Sequence, residues 1–145
     1  MNIKKIEDIL KRFASNTIGF KVVALVNFEG LPIYKIGIDE NTASTNAGKM
    51  LYVDKLIREE FKWQVIEQIQ IKGTEGYIIL TACTPNFYLL VKFDDVPQGM
   101  LLGDLNPTVQ KLKAVLEEEE SENDQVISPS RSSDPKQDPP PFWNR

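Results

Sequence analysis

Residues 20–28, FKVVALVNF, place apolar side chains on both sides of an extended backbone, and few folds can hide both. Side chains alternate along a strand, so Val22, Ala24, Val26 and Phe28 stand on one side while Val23 and Leu25 stand on the other. A strand with one wet face would alternate apolar with polar residues. This one belongs in the interior of a sheet, with a layer of structure over each face.

The flanking residues supply those layers. Ile3, Ile6, Ile9, Leu10 and Phe13 recur at helical spacing and predict a short helix over 2–13 that ends near Ser15-Asn16, before Gly19. After the central strand, Glu29-Gly30 makes a tight turn into LPIYKIG, where Pro32 suits an edge strand or a first strand position. Asp39-Glu40-Asn41-Thr42 offers caps for a helix over 41–61, closed by Lys62-Trp63. VIEQIQIK (65–72) alternates in part, with Ile69 and Ile71 on one face and Ile66, Gln68, Gln70 and Lys72 on the other. Gly73 to Gly76 turns the chain into YIILTACT, and Thr84-Pro85-Asn86 turns it into FYLLVKF. Leu101, Leu105, Val109, Leu112, Val115 and Leu116 mark a last helix from about Met100 to Leu116, with Pro107 expected in its first turn. The predicted order is α-ββ-α-βββ-α, an α/β fold of the α+β type whose hairpin-linked strands run antiparallel.

The 41–61 helix has more apolar surface than one core needs. Ala43, Ala47, Met50, Ile57 and Phe61 form a stripe for the sheet. Tyr52 and Leu56 lie roughly opposite that stripe, flanked by Thr45, Lys49, Lys55 and Glu59. A second, partly apolar face implies a second thing to touch, so the helix points to a binding module.

Composition excludes several other functions. The 145 residues suffice for one domain. Eight acidic and three basic residues from Glu117 onward give that segment a charge of −5, which leaves +1 for residues 1–116. A body so close to neutral has no basic footprint for nucleic acid and no Lys/Arg-rich face for an anionic membrane. The start, MNIKKIEDIL, is too charged for a signal peptide, and no run approaches a membrane span, so no membrane insertion is expected. A single cysteine, Cys83 in a strand-like run, builds no disulfide framework and reads as a small buried hydrophobe; the chain reads as cytoplasmic.

Chemistry is scarce. The absence of histidine removes the commonest acid–base group and metal ligand, so neither catalytic nor metal-binding residues nor cofactors are expected. No phosphate-binding glycine motif or nucleophile elbow is present. The pairs Asp39-Glu40, Glu59-Glu60 and Asp94-Asp95 fall where caps, solvated helix faces and loops are expected. Residues 119–145 read as an acidic, Ser/Pro-rich disordered tail behind a domain of residues 1–118. That tail ends in DPPPFWNR, where prolines pre-stiffen a candidate docking peptide carrying Phe142 and Trp143.

The succession ALVNFEGLPIYKIGID, DENTASTNAGKML, EQIQIKGTEGYIILTAC and YLLVKF resembles the Roadblock family of dynein light chains and their bacterial and archaeal relatives, over nearly the whole of residues 3–116. The resemblance implies a five-stranded antiparallel sheet with the middle helix on one face and the terminal helices on the other. It also implies a homodimer in which middle helices lie side by side and third strands pair into a continuous sheet. In that arrangement Ala47 and Gly48 permit close helix approach, and the strand carrying Val65, Glu67, Ile69 and Ile71 is the dimer edge. Roadblock dimers are platforms or regulators for Ras-like small GTPases, and a regulator of that kind needs no catalytic residue of its own. Lys49, Tyr52, Leu56 and Glu59 are then the candidate partner surface. The alternative is an adaptor or scaffold unconnected with GTPases that docks a larger assembly through its tail; a small-ligand sensor is a weaker rival, because no convergent polar cluster supports it.

Overall fold

The strand Phe20–Asn27 (β1) lies inside the sheet and is paired on both sides, antiparallel to Pro32–Ile36 (β2) and to Phe87–Asp94 (β5). The computed structural model describes the backbone of residues 1–127 and the side chains of residues 1–118. Within it, Gly76–Thr84 (β4) joins β5, and Gln68–Gly73 (β3) joins β4, giving one five-stranded antiparallel sheet in the order β2-β1-β5-β4-β3. Helices Ile3–Asn16 (α1) and Gln98–Ile127 (α3) cover one face, and Glu40–Phe61 (α2) lies on the other.

Both faces of β1 are spent as its sequence demands. Val23 and Leu25 join Ile6, Leu10 and Phe13 of α1 and the row Leu101, Leu105, Val109, Leu112 and Leu116 of α3. Phe13 meets Phe20 and Phe93 edge-on, with both centroid distances at 5.9 Å. Ala24 and Val26 meet Ala43, Ala47 and Met50 of α2, together with Leu80 and Leu90. The small side chains on this side bring the helix close to the strands.

Caps fix where the helices start. Asn2 accepts a hydrogen bond from the Lys5 N–H at 3.1 Å and opens α1. Asp39 opens α2 by accepting from both the N–H and the hydroxyl of Thr42, each at 2.8 Å. These bonds favour its charged form and hold the carboxyl below its ordinary value of 3.8. A depressed folded pKa contributes stability that is complete above the unfolded value and lost as pH falls through the folded one. Asp39→Ala is therefore expected to lower the melting temperature at neutral pH, and its deficit relative to the parent should shrink in melts run below pH 3.8.

Four sequence expectations are corrected. Phe28 is not part of β1: the Asn27 side chain accepts from the N–H groups of Glu29 and Leu31, bends the chain into a turn with Gly30 at φ 87°, and leaves Phe28 exposed. The stripe of α2 keeps Ala43, Ala47 and Met50, but Ile57 is only half-buried, Phe61 is exposed, and Asp54 takes the next buried place. Lengths explain this, since 22 helical residues span about 33 Å and the eight of β1 only about 26 Å, so the end of α2 overruns the sheet. Pro107 lies inside α3, as its tenth residue, because the helix already begins at Gln98 and forgoes the N–H that would reach the Gly103 carbonyl. Finally, α3 continues past Leu116 to Ile127, so the first residues of the expected tail are helical, in keeping with glutamate's helix propensity. The remainder of that segment, Phe142 and Trp143 included, lies outside the described residues.

Candidate interaction surface

α2 packs over β1 and β2 and leaves the β5-β4-β3 half of its sheet face only partly covered. Register identifies the residues on that half, because directly paired residues share a face. Leu90 opposes Ala24, Leu80 opposes Leu90, Ile69 opposes Leu80 and Ile71 opposes Ile78. Ile69 and Ile78 are half-buried, and Ile71 at the edge is 49% exposed. Between this shelf and the first turns of α2 is a cleft of about 580 Å³, with Thr42 and Asn46 on the helix side and Ile78 and Leu90 on the sheet side.

Spacing along α2 continues that flank. Val53 and Ile57 follow Asn46 by seven and eleven residues, which in a helix keeps them on the side that borders the shelf. Tyr52, Val53 and Leu56 are 61%, 44% and 45% exposed, and Lys49 and Glu59 are exposed beside them. The structure thus brings Lys49, Tyr52, Leu56 and Glu59 together on the outer side of one helix. Val53 belongs to the same surface and was missed, although its place one residue after Tyr52 was a usable signal.

The small residues are placed differently. Ala47 is fully buried against its own sheet and has no surface left for a partner helix. Gly48 lies on the flank toward the β1–β2 turn, where a Cβ on Gly30 would stand 3.4 Å from the Gly48 nitrogen. A Cβ on Gly48 itself would meet nothing within 4 Å. Glycine in a helix interior costs about 0.5–1 kcal/mol relative to alanine, so Gly48→Ala is expected to stabilise the fold by about that much in a thermal melt. Self-association should be unchanged if the seam runs along the Val53 flank, and weakened if it runs over Gly48.

β3 is an edge strand, paired only with β4 among the described residues. Val65 precedes it and is half-buried, while Glu67 is exposed and extends the pairing by accepting the Ala82 N–H at 2.9 Å. An unpaired edge beside an exposed isoleucine is a template for another strand.

The far end of α2 carries two features that the sequence patterns did not disclose. Asp54 is buried and accepts a hydrogen bond from Arg58 Nε at 2.9 Å. The Tyr88 hydroxyl is pushed up, first by burial and then by the Asp54 carboxylate. Beyond the pair, Phe61 and Trp63 stack at 5.6 Å across Lys62, which caps the helix in the left-handed region at φ 58°. Both rings are exposed.

The one thiol does not fit nucleophilic chemistry. Cys83 is buried, and burial alone pushes its pKa up to about 12, so it stays protonated at neutral pH. Among the described residues no group of three or more Cys, Asp and Glu side chains is arranged to hold a metal ion. No helix among them is long and apolar enough to cross a membrane.

Comparison with known proteins gives the fold a name. No family sequence model matches the chain, and no curated protein sequence does. Solved structures do match. A Roadblock/LC7 domain from Streptomyces avermitilis aligns with TM-score 0.66 and 13% identity, over 74% of this chain and 94% of that one. Myxococcus xanthus MglB aligns with TM-score 0.71 and 18% identity, over 81% and 91% of the two chains. The gliding protein MglB from Thermus thermophilus gives 0.69 and 13%, over 79% and 90%. The chain has the Roadblock/LC7 fold, and at these identities the likeness extends to the fold alone.

Proposed function

We propose that this chain acts as a non-enzymatic homodimeric platform or regulator for a Ras-like small GTPase. The observation that carries the reading is the half-covered sheet face on the α2 side, bounded by an open strand edge and by exposed apolar residues of α2. A second copy of the chain fits both openings by one two-fold operation, since a strand edge and a helix flank are each self-complementary. In that dimer Val65, Glu67, Ile69 and Ile71 belong to the strand seam and Val53 with Ile57 to the helix seam. Lys49, Tyr52, Leu56 and Glu59 lie farther out and form the surface offered to the GTPase. Support for association among proteins of this fold comes from an MglB structure described as a tetrameric arrangement, aligned here with TM-score 0.67 and 13% identity.

Light scattering on the purified chain is expected to give twice its 16.5 kDa mass. Single-turnover GTP hydrolysis by a small GTPase from the same genome should then change when the protein is added above its dimer dissociation constant. If the chain dimerises but neither binds the GTPase nor alters its rate, the adaptor reading replaces the GTPase one. A monomer at high concentration would remove both seams.

A further inference from the structure

A second concavity, of about 610 Å³, lies between α3 and the β4–β5 hairpin. Val65, Cys83, Tyr88 and Val109 give it apolar walls, and Asn106 and Gln110 stand at the α3 side. Its size is within the range that accommodates one or two large side chains. Nothing in residues 1–118 fills it. The sequence beyond α3 contains suitable occupants, because in residues 128–145 the only large non-proline apolar side chains are Phe142 and Trp143.

The path of α3 brings that segment to the same end of the molecule. The helix starts beside β3, where Gln98 donates to Gln70, passes the groove at Asn106 and Gln110, and runs on to Ile127. From Gln110 to Ile127 it rises about 26 Å, and the eleven residues 128–138 can span about 36 Å when extended. The chain that follows α3 is therefore long enough to return. Three consecutive prolines, Pro139, Pro140 and Pro141, restrict the backbone before Phe142, so docking costs less conformational entropy than for an ordinary peptide.

We infer that the groove between α3 and the β4–β5 hairpin receives residues 139–143 of this chain, with Phe142 and Trp143 entering between Tyr88 and Val109. This inference is independent of the proposed GTPase partner. The test uses the full chain carrying Trp63→Phe, which leaves Trp143 as the only tryptophan; Trp63 is 57% exposed and outside both core clusters. Trp143 emission should be blue-shifted, and its acrylamide quenching several-fold weaker, relative to a synthetic peptide of residues 137–145. Adding Asn106→Arg with Gln110→Arg, both at exposed positions, fills the mouth of the groove and should restore peptide-like quenching. Quenching already equal to that of the peptide before those changes would overturn the inference, and so would protection that survives them with the fold intact by circular dichroism.

Discussion

Arg58→Ala is expected to destabilise the folded chain by about 2–3 kcal/mol, far more than loss of an ordinary surface arginine. The cause is the carboxylate left behind. The Asp54 side chain is only 6% exposed and accepts from Arg58 Nε at 2.9 Å, with the acid one helical turn before the base. Removing one member of a buried pair typically costs about 3–5 kcal/mol, and the figure is discounted here because the Arg58 side chain is 33% exposed and water can replace part of it. Replacing both residues by leucine should recover most of the loss, since the pair lies along the sheet-facing side of α2 and no charge is then stranded. Urea unfolding with an unchanged m-value measures both effects. A loss below about 0.5 kcal/mol for Arg58→Ala would mean that Asp54 is better solvated than its burial implies.

The same pair marks where sequence reading stops. Strand β1 was legible because apolar residues on both sides of an extended segment leave one physical solution, and α1 and the core of α3 were legible from their helical rows of Ile, Leu and Phe. The stripe of α2 was legible only as far as the sheet extends beneath it. Periodicity continues to Phe61, but periodicity contains no information about where the supporting strands end, so Phe61 was placed in the core and Asp54 on the surface. Burial of Asp54 depends on Arg58 standing four residues later, and an acid–base pair at that spacing is indistinguishable in sequence from a solvated one. Pro107 was misplaced for a related reason: proline is most comfortable in a first turn, yet the apolar row on both sides of it holds the helix through.

Surface assignment divides along similar lines. Exposed Tyr52 and Leu56 could be read from the helical wheel, since they fall opposite Ala43, Ala47 and Met50. Assigning Ala47 to a helix seam rested on the general compatibility of small residues with close approach. In the structure that closeness is used inward, against Ala24 and Val26. Choosing between an inward and an outward use of alanine requires knowing which strand lies below, and pairing register is a property of the fold rather than of the segment. The uncovered half of the sheet was invisible for the same reason. Ile69, Ile78 and Leu80 read as ordinary strand residues until α2 is seen to lie over β1 and β2 instead.

Leu56→Asp is expected to leave the monomer fold intact and to weaken assembly about a hundredfold or more. Leu56 is 45% exposed and belongs to neither core cluster, so the substitution should change unfolding free energy by no more than about 0.5 kcal/mol. In a complex the position is different: a carboxylate buried without a partner costs about 3 kcal/mol or more, which is about two decades in Kd. Ile71→Asp serves as the companion variant, because Ile71 lies at the β3 edge and its loss should strike strand pairing between copies. If Ile71→Asp yields monomers while Leu56→Asp stays dimeric and loses the GTPase, Leu56 stands at the rim as proposed. If both yield monomers, the helix surface is consumed by the dimer and the partner must be met elsewhere. A Leu56→Asp protein that remains dimeric and binds the GTPase normally would reduce Leu56 to an exposed leucine, and the proposed partner surface would fall with it.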